Sequence, residues 1–195
     1  AAVSNGDIPL KFTADIHEVT YTRVAGNGFE ENDEVGVFAL VGSSTMKEER
    51  YADNLRFFRT SEKVFESSEP IYYPDDEVTL CLISYYPYQE EGVNMGESTM
   101  SVAVETDQNL SAGYFCSDFL VASQNLQSAP KGAIALHYDH KFFKLKIALV
   151  GKEGEELQGI LDADPKLSVC GFYTKAIYDF QKETYSAFSN EKSIT

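Results

Sequence analysis

Residues 133–150 read AIALHYDHKFFKLKIALV, and the reading of this stretch decides the fold. Ile134, Leu136, Tyr138, His140 and Phe142 share one face by strict alternation, and Phe143, Leu145, Ile147 and Leu149 continue the alternation one residue out of phase. A helix cannot carry this pattern, because apolar residues at every second position would encircle it. A phase change of one residue is what a β-bulge or a strand bend produces. The stretch is therefore expected to form one long bent strand, or two strands meeting at a corner, with Leu136 and Ile147 both in the core.

Working outward, shorter strands are expected beside it. Ile8, Leu10, Phe12, Ala14 and Ile16 alternate with polar residues, the pattern of a strand with one buried face. EVGVFALVG from Glu34 and EVTLCLISYYPY from Glu77 carry apolar residues at both parities, so both strands are expected to be covered on two sides. TMSVAV and DFLVAS read as strands within an irregular stretch, 89–130, and NLRFF with KVFES reads as an exposed hairpin. GKEGEELQGILDADP, from Gly151, has the composition of a linker, and Lys166 to Tyr185 reads as a hairpin. The domain expectation is a β-sandwich over 1–155, then 156–195 as linker and first hairpin of an incomplete or packed-on second β domain, since so short a tail cannot build a core alone.

Composition narrows the class. The chain has 195 residues, 43% of them hydrophobic, with 12 Tyr, 13 Phe and no Trp, which suits an ordered β protein. Sixteen basic against 31 acidic residues give a formal net charge of -15, which repels phosphate backbones and argues against nucleic acid and anionic lipid as partners. Cys81, Cys116 and Cys170 lack the spacing of a zinc site, and Cys81, inside VTLCLIS, reads as a small buried hydrophobe. One disulfide among the three stays open. No apolar run is long enough to cross a membrane as a helix.

Candidate chemistry is sparse. His137, Asp139 and His140 form the one histidine cluster, but on a strand His140 lies opposite the other two, so the three cannot converge on a metal. The acidic turns EENDE and PDDE lack the EF-hand spacing and read as solvated loops, with calcium-dependent adhesion a weaker alternative. No nucleophile-elbow, zincin, dinucleotide or phosphate-loop motif is present, and no cofactor or catalytic residue is expected. Tyr72, Tyr73, Tyr85, Tyr86 and Tyr88 flank prolines at the two ends of one strand; they read as an aromatic plug closing the sheet end, or as ligand-facing aromatics that stack on sugar rings or peptides.

In order, LKFTADI, TRVAGNGFEENDEVGVFAL, IYYP, ISYYPY, TDQNLSAGYFCSDFLVAS and LHYDHKFFKLKIAL resemble the fimbrillin superfamily of Bacteroidales surface proteins, the subunits, tips and anchors of type V pili. The resemblance covers roughly residues 8 to 180 and rests on the order of loose motifs. It implies an all-β, Greek-key, two-sheet sandwich of transthyretin-like type and a non-enzymatic pilus subunit or cell-surface adhesin. It further implies export as a lipoprotein, held at the outer membrane by a lipidated Cys that this sequence does not contain. In polymerising members a protease cuts after an Arg that follows the first strand, and another subunit's strand fills the vacated groove. Arg23 stands in that position, which would make the strand carrying Leu10, Phe12, Ala14 and Ile16 removable. Expected partners are other pilus subunits, in homo- or hetero-polymers, and a host or bacterial surface glycan or protein. Family members continue through a complete second domain, so a carboxyl-terminal donor segment is expected to lie outside this sequence. A carbohydrate-binding surface module using the strand-end tyrosines is the alternative.

Overall fold

The computed structural model of the chain describes residues 9–17, 28–74, 78–109, 116–148, 150–152, 157–163 and 165–195. Arg23, Ile8, Leu149 and the acids of PDDE lie outside them. The described strands are β1 (Phe12–Ile16), β2 (Glu34–Val41), β3 (Ala52–Arg59), β4 (Phe65–Glu66), β5 (Leu80–Tyr86), β6 (Thr99–Ala103), β7 (Leu120–Leu126), β8 (Ile134–His140), β9 (Val169–Asp179) and β10 (Thr184–Ile194). A short helix, α1 (Leu157–Asp162), lies between β8 and β9, within the stretch whose composition reads as a linker.

The chain is all-β in character, but its layers are not those of a plain sandwich. Seven strands close into a barrel in the order β1-β4-β3-β2-β5-β7-β8, and β10-β9-β6 form a separate antiparallel sheet. Neighbours in the barrel are antiparallel except β8 and β1, which run parallel from Phe12↔Ile134 to Ile16↔Tyr138. The barrel replaces two open sheets because β1 pairs on both sides, with β4 and with β8, and so leaves neither edge free.

Side-chain parity explains how the layers meet. Val35, Val37 and Ala39 of β2 and Leu80 and Leu82 of β5 point into the barrel, whose core also takes Phe12, Phe57, Leu136 and Tyr138. Phe38 and Leu40 of β2, with Ile83 and Tyr85 of β5, point outward to a second core shared with Met100 and Val102 of β6 and Ala176 and Tyr178 of β9. Two-faced apolar strands thus serve as a wall between two cores, as both-parity patterning requires. β8 has one apolar face only: Ile134, Leu136 and Tyr138 are buried, whereas Ala135, His137 and Asp139 are exposed.

Two sequence expectations are corrected here. The second apolar run does not continue β8. The β7–β8 register ends at Leu120↔His140, and none of the described strands pairs with the chain beyond; Phe143, Leu145 and Ile147 are 74%, 54% and 44% exposed, and Ile147 is no core residue. Nor is the NLRFF and KVFES hairpin exposed. It is formed, as β3 and β4, but Phe57 and Phe65 are buried in the barrel.

Candidate functional site

The candidate site is the seat of β1, the strand that closes the barrel. Along β8 the parallel ladder is bracketed by Ile134 N donating to Lys11 O at 2.8 Å and His17 N donating to Tyr138 O at 2.8 Å. On the other side Leu10 N donates to Ile71 O at 2.7 Å, and Phe12 pairs with Phe65. Leu10 and Phe12 are buried, with the Phe12 ring 4.6 Å from that of Phe57, while Ala14 and Ile16 are half-buried against the same core. The burial of the row is therefore concentrated at its amino-terminal end.

Polar groups inside the barrel are paired. Ser84 Oγ donates to Gly36 O at 3.1 Å, which uses its one proton, so Tyr138 is the donor in the 2.6 Å bond between the two hydroxyls. Phe29 plugs the barrel end edge-on to Phe65, Tyr86 and Tyr138, with centroids 5.0 to 5.4 Å away.

The outer face of the β1–β8 ladder carries a crossed arrangement of acids and imidazoles. His17 and His137 stack at 5.5 Å with an 8° interplanar angle, His17 Nδ1 lies 2.7 Å from Asp139, and His137 lies 3.9 Å from Asp15. His140 turns elsewhere, to Asp118 at 2.8 Å, and that hydrogen bond raises the His140 pKa. The sequence cluster of His137, Asp139 and His140 is thus split between two sets of partners. Among the described residues no three His, Cys, Asp or Glu side chains are grouped to hold a metal ion. In the first acidic turn Asp33 Oδ2 accepts from Glu30 N at 2.6 Å, and desolvation raises the Asp33 pKa; Glu34 pairs with Arg56.

The five tyrosines do not form one platform. Tyr73 is buried in the barrel core and Tyr85 in the outer core, where its hydroxyl donates to Asn54 Oδ1 at 2.7 Å and burial pushes its pKa up. Tyr86 is half-buried against Phe29, and Tyr88 lies under Arg56 at 5.8 Å. Tyr72 is 38% exposed, and its carbonyl accepts from the exposed Tyr51 hydroxyl at 3.1 Å. The three cysteines are free thiols, with Cys81 half-buried and its thiol pushed up by burial.

One buried residue has no counterpart in the sequence reading. Arg50, among mixed charged residues, sends its guanidinium inward: Nε donates to Met46 O at 2.9 Å, Nη1 to Val93 O at 2.7 Å, and Nη2 to Asn94 O at 2.8 Å and Glu97 O at 3.0 Å. It also pairs with Asp53 and lies 5.3 Å from the Phe38 ring centroid. The sequence signal was Asp53, three residues on, which reads equally well as half of a surface pair.

A family model described as Fimbrillin-like matches residues 22–195. The chain belongs to the Fimbrillin-like family. The matched span begins after β1. Among solved structures, this fimbrillin-like chain superposes on a proposed cell adhesion protein from Bacteroides uniformis with a TM-score of 0.66 and 20% identity, covering 96% of this chain and 69% of that one. A proposed cell adhesion protein from Bacteroides ovatus gives a TM-score of 0.60 at 15% identity, covering 96% of this chain and 71% of the other. At these identities the likeness concerns the fold. No curated protein sequence matches the fimbrillin-like chain significantly.

Proposed function

We propose that this fimbrillin-like chain is a non-enzymatic fimbrial subunit or cell-surface adhesin that assembles by strand exchange, with β1 as a placeholder for a partner's strand. The observation that supports it best is that β1 pairs on both sides and closes the barrel while preceding Arg23, so a cut there separates it in sequence from every other described strand. In this reading the open barrel becomes the two-layer, transthyretin-like sandwich that the family resemblance implies. Leu10 and Phe12 each contribute about 1.5–3 kcal/mol of burial. Their loss removes a large share of a domain's roughly 5–15 kcal/mol. A cut chain must then accept a strand or aggregate through its open edges.

The test is limited trypsin digestion followed by a synthetic peptide of residues 8–17. Release of β1 and recovery of the melting temperature on adding the peptide are expected. If Arg23 survives while other sites are cut, or if the cut chain keeps its stability without any strand, the reading fails.

The same reading takes 1–155 as one domain and 156–195 as the linker and first hairpin of an incomplete or packed-on second; the pairing of β9 with β6 supports the packed-on form. It places the protein at the cell surface, exported as a lipoprotein, with other pilus subunits as partners. The alternative, a carbohydrate-binding module, draws on the exposed Tyr51 and Tyr72, joined by a hydrogen bond. Glycan-array binding lost in Tyr72→Ala, with strand exchange intact, would favour it.

A further inference from the structure

We propose that the seat of β1 selects its strand by polarity as well as by size: His137 and Asp139 of β8 accept an extended segment that runs parallel to β8 and carries an acid at the place of Asp15 and a base at that of His17. This rests on the strand-exchange reading above and states what another polypeptide's strand must present to the seat.

The pairing across the ladder carries the inference. In the parallel register Asp15 lies opposite His137, and His17 N donates to Tyr138 O at 2.8 Å, which brings the His17 ring to Asp139. A carboxylate only accepts, so His17 Nδ1 donates across the 2.7 Å to Asp139 Oδ1. His137 Nδ1 stands 3.9 Å from the Asp15 carboxylate, and the two imidazoles stack with centroids 5.5 Å apart. Along β1 the order is acid then base; along β8 it is base then acid.

This crossed order fixes direction and register. A strand of the same sequence laid antiparallel about the same centre would set His17 on His137 and Asp15 on Asp139. Sliding the parallel strand by two residues brings either Asp15 beside Asp139 or His17 beside His137. Sliding it by one turns Leu10 and Phe12 out of the core. Like charges directly opposite destabilise a strand pair, and an acid facing an acid also loses its donor. The outer face thus rejects arrangements that an apolar row alone would tolerate.

The test uses the full chain cut at Arg23 and freed of β1, with amidated peptides of residues 8–17 and binding read by calorimetry. One peptide has the native sequence; the other carries Asp15→His and His17→Asp, which leaves the apolar row and the net charge unchanged. The exchanged peptide is expected to bind about fivefold more weakly, the scale of two mismatched cross-strand pairs. On a chain carrying His137→Asp and Asp139→His the preference should reverse. All four side chains are 52% to 77% exposed, so the exchanged chain keeps the fold. Equal binding of both peptides by the native chain, or no reversal on the exchanged chain, overturns this inference alone. Failure of the native peptide to bind the cut chain overturns the strand-exchange reading and this inference with it.

Discussion

Replacing Arg50 tests how the loop before β6 is held. The guanidinium bonds the carbonyls of Met46, Val93, Asn94 and Glu97 and pairs with Asp53, and its side chain is 0% exposed. Hydrogen bonds from a charged group contribute about 1.5–3 kcal/mol each when taken singly. They do not add, because water follows into a truncated site, and removing one partner of a buried pair costs about 3–5 kcal/mol in total. Arg50→Ala is therefore expected to lose about 3–5 kcal/mol, a large part of the roughly 5–15 kcal/mol of a domain. Arg50→Lys keeps a charge but not the planar fork, and should fall between Ala and the native residue. The assay is urea unfolding followed by far-ultraviolet circular dichroism, since the chain has no Trp for fluorescence. Amide exchange should accelerate at 93–103 before the barrel responds, because this loop leads into β6. A loss under about 1 kcal/mol for Arg50→Ala, or Lys and Ala variants of equal stability, would refute the view that the fork pins the loop.

Two further outcomes are expected. Gly36→Ala puts a Cβ 2.2 Å from Tyr85 Cε1 and 2.8 Å from Asn54 Oδ1, where a buried, hydrogen-bonded ring cannot yield; a loss of at least about 1–3 kcal/mol is expected in the same urea assay, and an unchanged midpoint would contradict it. Asp118 raises the His140 pKa above its ordinary 6.5, so their bond contributes stability that is fully present below the unfolded imidazole value and is lost as pH rises through the folded one. The stability gap between native chain and Asp118→Asn should therefore be widest near pH ~5–6 and narrow towards pH ~8, and a flat gap would refute the assignment.

Much of the sheet was legible because burial leaves a parity signature. β2 and β5 carry apolar residues at both parities, and both are walls between two cores. β1 and β8 alternate, and each turns one face inward. Closure into a barrel was not legible, because it depends on parallel pairing between Phe12 and Ile134, for which no local sequence signal exists. The run from Phe143 misled for a different reason: alternation reports that a segment is extended, not that a partner strand lies beside it. Of the candidate site, the apolar row of β1 could be read directly. The tyrosines could not, because adjacent residues such as Tyr85 and Tyr86 point to opposite cores, and doublets carry no sign of which one meets solvent.

The β1–β8 ladder also constrains how the chain reaches its fold. His17 and Asp139, joined across it, are 122 residues apart, whereas β2 pairs with the nearby β3 and β5. Closing so long a loop is entropically costly before any contact forms, so non-local pairing of this kind comes late. The six other barrel strands are expected to assemble first as an open, curved sheet, with β1 arriving after the rate-limiting step. Phe12→Ala should then speed unfolding and leave the refolding rate almost unchanged; a matching fall in the refolding rate would place β1 in the nucleus instead. Every molecule would, on this account, pass through an unclosed state during its own folding, and chain concentration would set how long that state survives before another strand finds it.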